Sequence, residues 1–177
     1  MTAKNDMTIK YSKGTIIIHW ITALLILILF PLGKYIGGLE SEDKLFPLAI
    51  HVILGTLVLI LTIIRTYYYF KHPRPPHLKT GYKFNDKLIV WIDNSFYYLL
   101  FLISILGILA MIIIGYGNAI RTGDISLIKP HDESLLVEGH NLLATILMIL
   151  FVLHVIGVIK HKILTKENTL RRITFLK

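Results

Sequence analysis

The chain has no cysteine among its 177 residues. Disulfide bonds, thiolate metal sites, iron–sulfur clusters and haem attached covalently through a CxxCH motif are therefore excluded. Charged residues are also scarce, because they make up only 17% of the chain. An ordinary soluble domain is about 25% charged, so this composition argues against one.

Apolar residues fill the chain instead: 54% are hydrophobic, and the mean hydropathy is +0.65. They gather in four long segments, at about 15–33, 47–70, 88–115 and 135–160. Each is long enough to cross a hydrocarbon core of about 30 Å as a helix. The sequence therefore predicts an all-α, four-helix transmembrane bundle that forms a single domain over residues 1–177. The first segment is too long for a signal-peptide core and lacks a convincing cleavage site, so we expect it to be retained.

The positive charges are distributed unevenly between the two sides of this bundle. Fifteen of the 19 lysines and arginines lie in the leader, the second connector and the C-terminal tail. The positive-inside rule then predicts that both termini are cytoplasmic. The net charge of +8 is thus explained by topology, and no nucleic-acid partner is expected. The polar stretch 115–133 is expected to be a loop on the other side.

Four histidines lie within the apolar segments: His19, His51, His140 and His154. The last two are fourteen residues apart on one helix, which places them on one face and about 21 Å apart along its axis. With the predicted topology, His19 matches His154 in depth, on the cytoplasmic side. His51 matches His140 on the outer side. The pattern predicts two ligand pairs stacked across the membrane.

A single histidine in a membrane helix is often explained by an ordinary hydrogen bond to a neighbouring group. Four at matched depths, with no intramembrane acid beside three of them, favour axial ligation of haem iron by neutral imidazole. A small residue follows each histidine by about one turn: Ala23, Gly55, Ala144 and Gly157. A flat macrocycle needs room at such positions, although close helix packing also favours small residues there. A remote alternative is a transporter in which these histidines coordinate a divalent cation in transit.

Several motifs resemble the bacterial cytochrome b561 family, which includes the b-type subunits of nickel-iron hydrogenases. In the first helix the resemblance rests on Lys10-Tyr11-Ser12 ahead of His19-Trp20. In the second it rests on His51 with Gly55, Arg65 and the prolines at 73, 75 and 76. In the fourth it rests on His140 and His154, followed by Lys166-Glu167-Asn168-Thr169-Leu170 and Arg172.

The resemblance implies two non-covalent b haems, one held by His19 and His154 and the other by His51 and His140. It also implies electron transfer to or from quinone in a multi-pass protein of the bacterial inner membrane. Two related functions remain open, a superoxide:quinone oxidoreductase and a haem-bearing anchor for a dehydrogenase or hydrogenase subunit. Membrane lipid, quinone and a redox partner protein are the expected partners.

Other polar residues leave alternatives. Arg65 returns to the His51 face at the depth of the cytoplasmic pair, where it could bind a haem propionate or reach a lipid phosphate. Asp93 could relay a proton to reduced quinone, or merely make polar contacts with Asn94 and Ser95. The remaining histidines are expected to be solvated, in loops or at the membrane boundary: His72, His77, His131 and His161.

Overall fold

The computed structural model describes residues 5–40, 43–128 and 135–175. Within these ranges every regular element is a helix, and there is no strand. The helices are α1 (Lys13–Gly37), α2 (Leu45–Lys71), α3 (Lys83–Ile113), α4 (Tyr116–Thr122) and α5 (Leu135–Thr165). Two 3₁₀ turns follow α4 and α5, at Ile125–Leu127 and Thr169–Ile173. All the helices except α4 are long and apolar enough to cross a membrane, which confirms the predicted all-α architecture with four spans.

Helix α4 lies where a loop was expected. Its two ends are set by glycines in the left-handed conformation, Gly115 with φ +98° and Gly123 with φ +74°. Any side chain at Gly115 would also collide with the carbonyl of Leu127. Seven residues between two such turns are too short to produce a recognisable apolar period, which is why the pattern did not reveal this helix.

The long helices extend beyond their apolar segments. Helix α3 begins at Lys83, five residues before the predicted span, and α5 continues to Thr165. Backbone hydrogen bonds do not depend on side-chain polarity, so a helix continues into the polar boundary of the membrane until a cap or a proline ends it. Ser12 is such a cap, because its hydroxyl accepts a hydrogen bond from the Thr15 amide at 3.2 Å.

The bundle packs through successive neighbours: α1 against α2, α2 against α3, and α3 most extensively against α5. Helices α1 and α5 make few contacts, so the bundle is least tightly closed between them. The small buried core combines all four long helices and consists of Leu25, Ile26, Val58, Leu100 and Leu147. Most other apolar side chains face outward, as a surface covered by lipid requires.

One end of the bundle, which we call the basic end, brings together residues 5–12, 72–82 and 166–175. The Tyr11 amide donates to the Arg172 carbonyl at 3.0 Å, and the Arg172 guanidinium donates to the Pro76 carbonyl at 2.6 Å. Asn5 donates to both carboxylate oxygens of Glu167, at 3.0 and 2.8 Å. The leader, the second connector and the tail therefore lie on the same side. The opposite end, which carries α4, is called the far end.

Candidate cofactor site

His51 and His140 lie together at the far end. Their ring centroids are 6.1 Å apart and their planes are inclined at 64°. Both side chains are half-buried in the space between helices. The structure thus brings together two residues that are 89 positions apart in the sequence and that the sequence analysis had paired by depth.

Two glycines on neighbouring helices allow these rings to approach. A Cβ atom at Gly33 of α1 would lie 3.3 Å from Cε1 of His51, and one at Gly107 of α3 would lie 3.3 Å from Cε1 of His140. Sequence analysis missed both residues. The available signal was the helix propensity, because a glycine inside a helix costs about 1 kcal/mol relative to alanine and needs a packing reason.

The tautomer of His140 is fixed by the backbone. Its Nδ1 lies 2.9 Å from the carbonyl oxygen of Ile103, and a carbonyl only accepts. Nδ1 therefore carries the proton, and Nε2 keeps a free lone pair that a metal ion can use. The Nδ1 atoms of His51 and His19 are buried and have no hydrogen-bond partner among the described residues. Unsatisfied buried nitrogens are uncommon in folded proteins, so they point to a missing partner or ligand.

His19 and His154 lie towards the basic end and within electrostatic range of each other. Each has an aromatic neighbour in edge-to-face geometry: Trp20 stands 5.3 Å from the His19 ring and Phe96 stands 5.5 Å from the His154 ring. The Trp20 indole donates to the Ile173 carbonyl at 2.8 Å, which joins the region beside His19 to the C-terminal tail.

Asp93 faces this second pair. One of its carboxylate oxygens lies 3.9 Å from Nδ1 of His154. The expected alternative contacts, with Asn94 and Ser95, are not what the structure gives, because the Ser95 hydroxyl donates to the Trp91 carbonyl of the preceding turn. The Asp93 carboxylate, ten residues into α3, points instead towards His154 of α5.

Arg65 also turns inward. Its Nε donates to the Tyr97 hydroxyl at 3.1 Å, and its guanidinium lies over the Tyr97 ring, 5.3 Å from the centroid. It lies within electrostatic range of His19, His154 and Asp93. The side chain is half-buried against α3. This position favours a role beside the histidine pair over contact with lipid phosphate.

The small residues after the histidines do not all serve helix packing. A Cβ atom at Gly55 or at Gly157 would meet no described atom within 4 Å. Close approach of a neighbouring helix therefore does not explain either glycine. The open space one turn from His51 and from His154 is available to a flat group.

The histidines outside the spans separate into two kinds. His72 and His77 are exposed, as expected. His161 is not solvated: it is 9% exposed, and its Nε2 donates to Glu167 at 3.0 Å. That expectation was wrong because the tail folds back over the end of α5. His131 lies outside the described residues. Within residues 5–40, 43–128 and 135–175, no three histidine or acidic side chains form a cluster that could hold a metal ion.

Comparisons with known proteins identify the family of this chain. The family model for prokaryotic cytochrome b561 matches residues 10–175. A probable superoxide oxidase, CybB, of Yersinia pestis is 27% identical over 174 residues, which cover 92% of this chain and 94% of that protein. The chain therefore belongs to the prokaryotic cytochrome b561 family and is a multi-pass bacterial membrane cytochrome of the b type.

Proposed function

We propose that this protein is a di-haem cytochrome of the bacterial inner membrane that exchanges electrons with quinone. In this proposal His51 and His140 hold one haem b, and His19 and His154 hold the other. The observation that carries it is the far-end ring pair, whose centroids are 6.1 Å apart. A separation of this size would leave room for one metal ion between the two rings, since metal–nitrogen bonds are about 2 Å long.

The residues at the far end suit a haem in two further respects. The Ile103 carbonyl fixes His140 in the tautomer that leaves Nε2 free for iron. The space beside Gly55 gives a macrocycle room against the α2 backbone. Haem b supplies a one-electron couple when it is bound. His51 and His140 would both hold this haem, which would then supply electron transfer rather than binding of oxygen or a substrate.

The basic-end pair is supported by its surroundings. His19 and His154 both lie towards the basic end, on α1 and α5, two helices that pack sparsely against each other. The Nη donors of Arg65 are free of the hydrogen bond that its Nε makes to Tyr97, and we assign them to a haem propionate. The Gly157 surface supplies open space on this side.

Quinone is proposed as the partner because the described protein outside the long helices is small. It consists of the short leader, the connectors, α4 and the tail. A lipid-soluble carrier reaches the bundle sideways, through the apolar surface of the helices, without an extramembrane domain. The positive-inside rule places the basic end in the cytoplasm, so the His19 and His154 pair lies on the cytoplasmic side.

Haem content tests the ligand assignment. A pyridine-haemochrome assay of the purified protein should give two haems per chain, and a reduced-minus-oxidised spectrum should be low-spin. Each single histidine-to-alanine variant, at positions 19, 51, 140 and 154, should lose one haem and keep the other. His72→Ala, in the exposed connector, is the control and should keep both. Four variants that each retain two haems with unchanged spectra would refute the assignment.

Mixing the reduced protein with a short-chain quinone tests the partner. The haems should reoxidise much faster than in air alone. If quinone leaves the reduced spectrum unchanged while a soluble dehydrogenase alters it, the protein is instead an anchor that docks such a subunit.

A second function is favoured by the relative described as a probable superoxide oxidase, since it matches nearly the full length of both chains. In that case superoxide would be oxidised to oxygen, and a haem held by one of the histidine pairs would supply the one-electron acceptor. Superoxide generated beside the oxidised protein should then reduce the haems, and adding quinone should restore the oxidised spectrum. An unchanged oxidised spectrum excludes this function.

A further inference from the structure

The two histidine pairs differ in what faces the Nδ1 atom of the α5 residue. At the far end, Nδ1 of His140 donates to a neutral backbone carbonyl, that of Ile103. At the basic end, Nδ1 of His154 faces the carboxylate of Asp93 at 3.9 Å. This distance is too long for a direct hydrogen bond but short enough for a strong charge interaction in a medium of low dielectric.

Asp93 lies about three turns into α3, in a candidate membrane span where an acidic residue is costly and usually functional. The charged or titratable groups that interact with it come from four parts of the chain: His154 of α5, Arg65 of α2, His77 of the connector and Tyr11 of the leader. His154 and Arg65 are the two that also lie at the proposed haem.

A carboxylate beside the outer nitrogen of a metal-bound imidazole makes that imidazole a stronger electron donor. A more electron-rich axial ligand and a nearby negative charge both stabilise the ferric state relative to the ferrous state. A neutral carbonyl beside the other pair has a weaker effect. The two haems should therefore differ in reduction potential.

We propose that Asp93 is a positioning residue that orients His154 and lowers the reduction potential of the haem that His154 would hold. The inference rests on the proposed ligation by His19 and His154. Among the described residues no carboxylate takes the same place at the far-end pair, so Asp93 would set the two potentials apart.

Redox titration of the Asp93→Asn variant tests the proposal. The change keeps the shape of the side chain and removes its charge. Asp86→Asn is the matched control, since it makes the same change two turns earlier on α3, where the carboxylate accepts hydrogen bonds from Thr80. The Asp93→Asn and Asp86→Asn changes are also made in the His51→Ala variant. That variant should retain only the basic-end haem, so the potential measured in it belongs to that haem.

We expect Asp93→Asn to raise the potential of the basic-end haem by about 59 mV or more, a tenfold change in its redox ratio. The far-end potential and the Asp86→Asn protein should be unchanged. An unaltered basic-end potential in a variant with two haems overturns the proposal and leaves the proposed function intact. If Asp93→Asn loses a haem, the Asp93→Glu variant is measured. Wild-type haem content and potential in Asp93→Glu would support the proposed role of the carboxylate, and their loss in that variant would refute it. A wild-type protein without two haems refutes the proposed function itself.

Discussion

Arg172 donates from its guanidinium to the carbonyl of Pro76 at 2.6 Å, across 96 residues of chain. Its side chain is only 6% exposed, and its own carbonyl accepts from the Tyr11 amide at 3.0 Å. One residue of the tail therefore holds the leader and the proline-containing connector in one place.

Replacing this arginine should loosen the basic end. Arg172→Ala leaves the Pro76 carbonyl without its donor, and we expect the free energy of unfolding in detergent micelles to fall by about 1–3 kcal/mol. Arg171→Ala is the control, because Arg171 is exposed and precedes it directly. Equal losses in the two variants would show that the Pro76 hydrogen bond contributes no stability of its own.

Glu167 should make stability depend on pH. Burial raises the pKa of this carboxyl, but hydrogen bonds from Asn5 and His161 outweigh burial and lower the pKa below its ordinary 4.5. Because the folded pKa is the lower one, the stabilisation is complete above the ordinary value and is lost as pH falls through the folded value. Melting temperatures measured from pH 7 down to pH 3 should fall, and the fall should be smaller in Glu167→Gln. Glu40→Gln, at an exposed far-end position, should follow the wild type.

Gly107→Ala should disturb the far-end pair. The new methyl group would lie 3.3 Å from Cε1 and 3.5 Å from Nδ1 of His140, so the ring must shift by a few tenths of an ångström. We expect a weaker bond to Ile103 and a changed low-spin spectrum for one of the two haems. Gly139→Ala is the matched control on the same interface, since its methyl group would meet only the flexible end of Leu106. A wild-type spectrum in Gly107→Ala would contradict the expectation.

The open glycines allow a test of where a haem lies. In the absence of a cofactor, Gly55→Ala and Gly157→Ala should stabilise their helices by up to about 1 kcal/mol, because alanine has the higher helix propensity. If a macrocycle occupies the space beside them, the same changes should lower haem content in the pyridine-haemochrome assay. Gly37→Ala is the control: it fills open space at the end of α1 and should not change the haem content. Full haem content in all three would place the macrocycles elsewhere.

Topology is checked by reporter fusions. A fusion at Gly123 and one at the C-terminus should report opposite sides of the membrane, with the C-terminus cytoplasmic, because the basic residues concentrate at one end of the bundle. Activity of both reporters on one side would exclude four spans with both termini in the cytoplasm.

The long helices and the proximity of His51 to His140 were accessible from sequence because each depends on a periodic local signal, whereas the pairing of His19 with His154 stays a prediction. A run of apolar residues reports a span directly, and the fourteen residues between His140 and His154 define one helix face. The proximity of His51 and His140 was predicted from membrane depth alone, because both residues lie near the outer ends of their predicted spans.

The contacts of the basic end were not accessible because no local pattern encodes them. Asn5 contacts Glu167 across 162 residues, and His161 is buried only because the tail folds back over it. The orientation of Asp93 towards His154 depends on how α3 rotates against α5, which neither helix specifies by itself. Gly33 and Gly107 likewise acquire meaning only once the facing ring is known.

The hydrogen bond from Trp20 to the Ile173 carbonyl has a consequence for biosynthesis. Helix α1 leaves the ribosome well before Ile173, whose carbonyl accepts from the Trp20 indole, has been translated. The contacts of the basic end therefore form only after the tail has been translated. A chain halted before residue 173 would enter the membrane without the hydrogen bond between Trp20 and Ile173. Contacts this distant in sequence should form late in the folding of this protein.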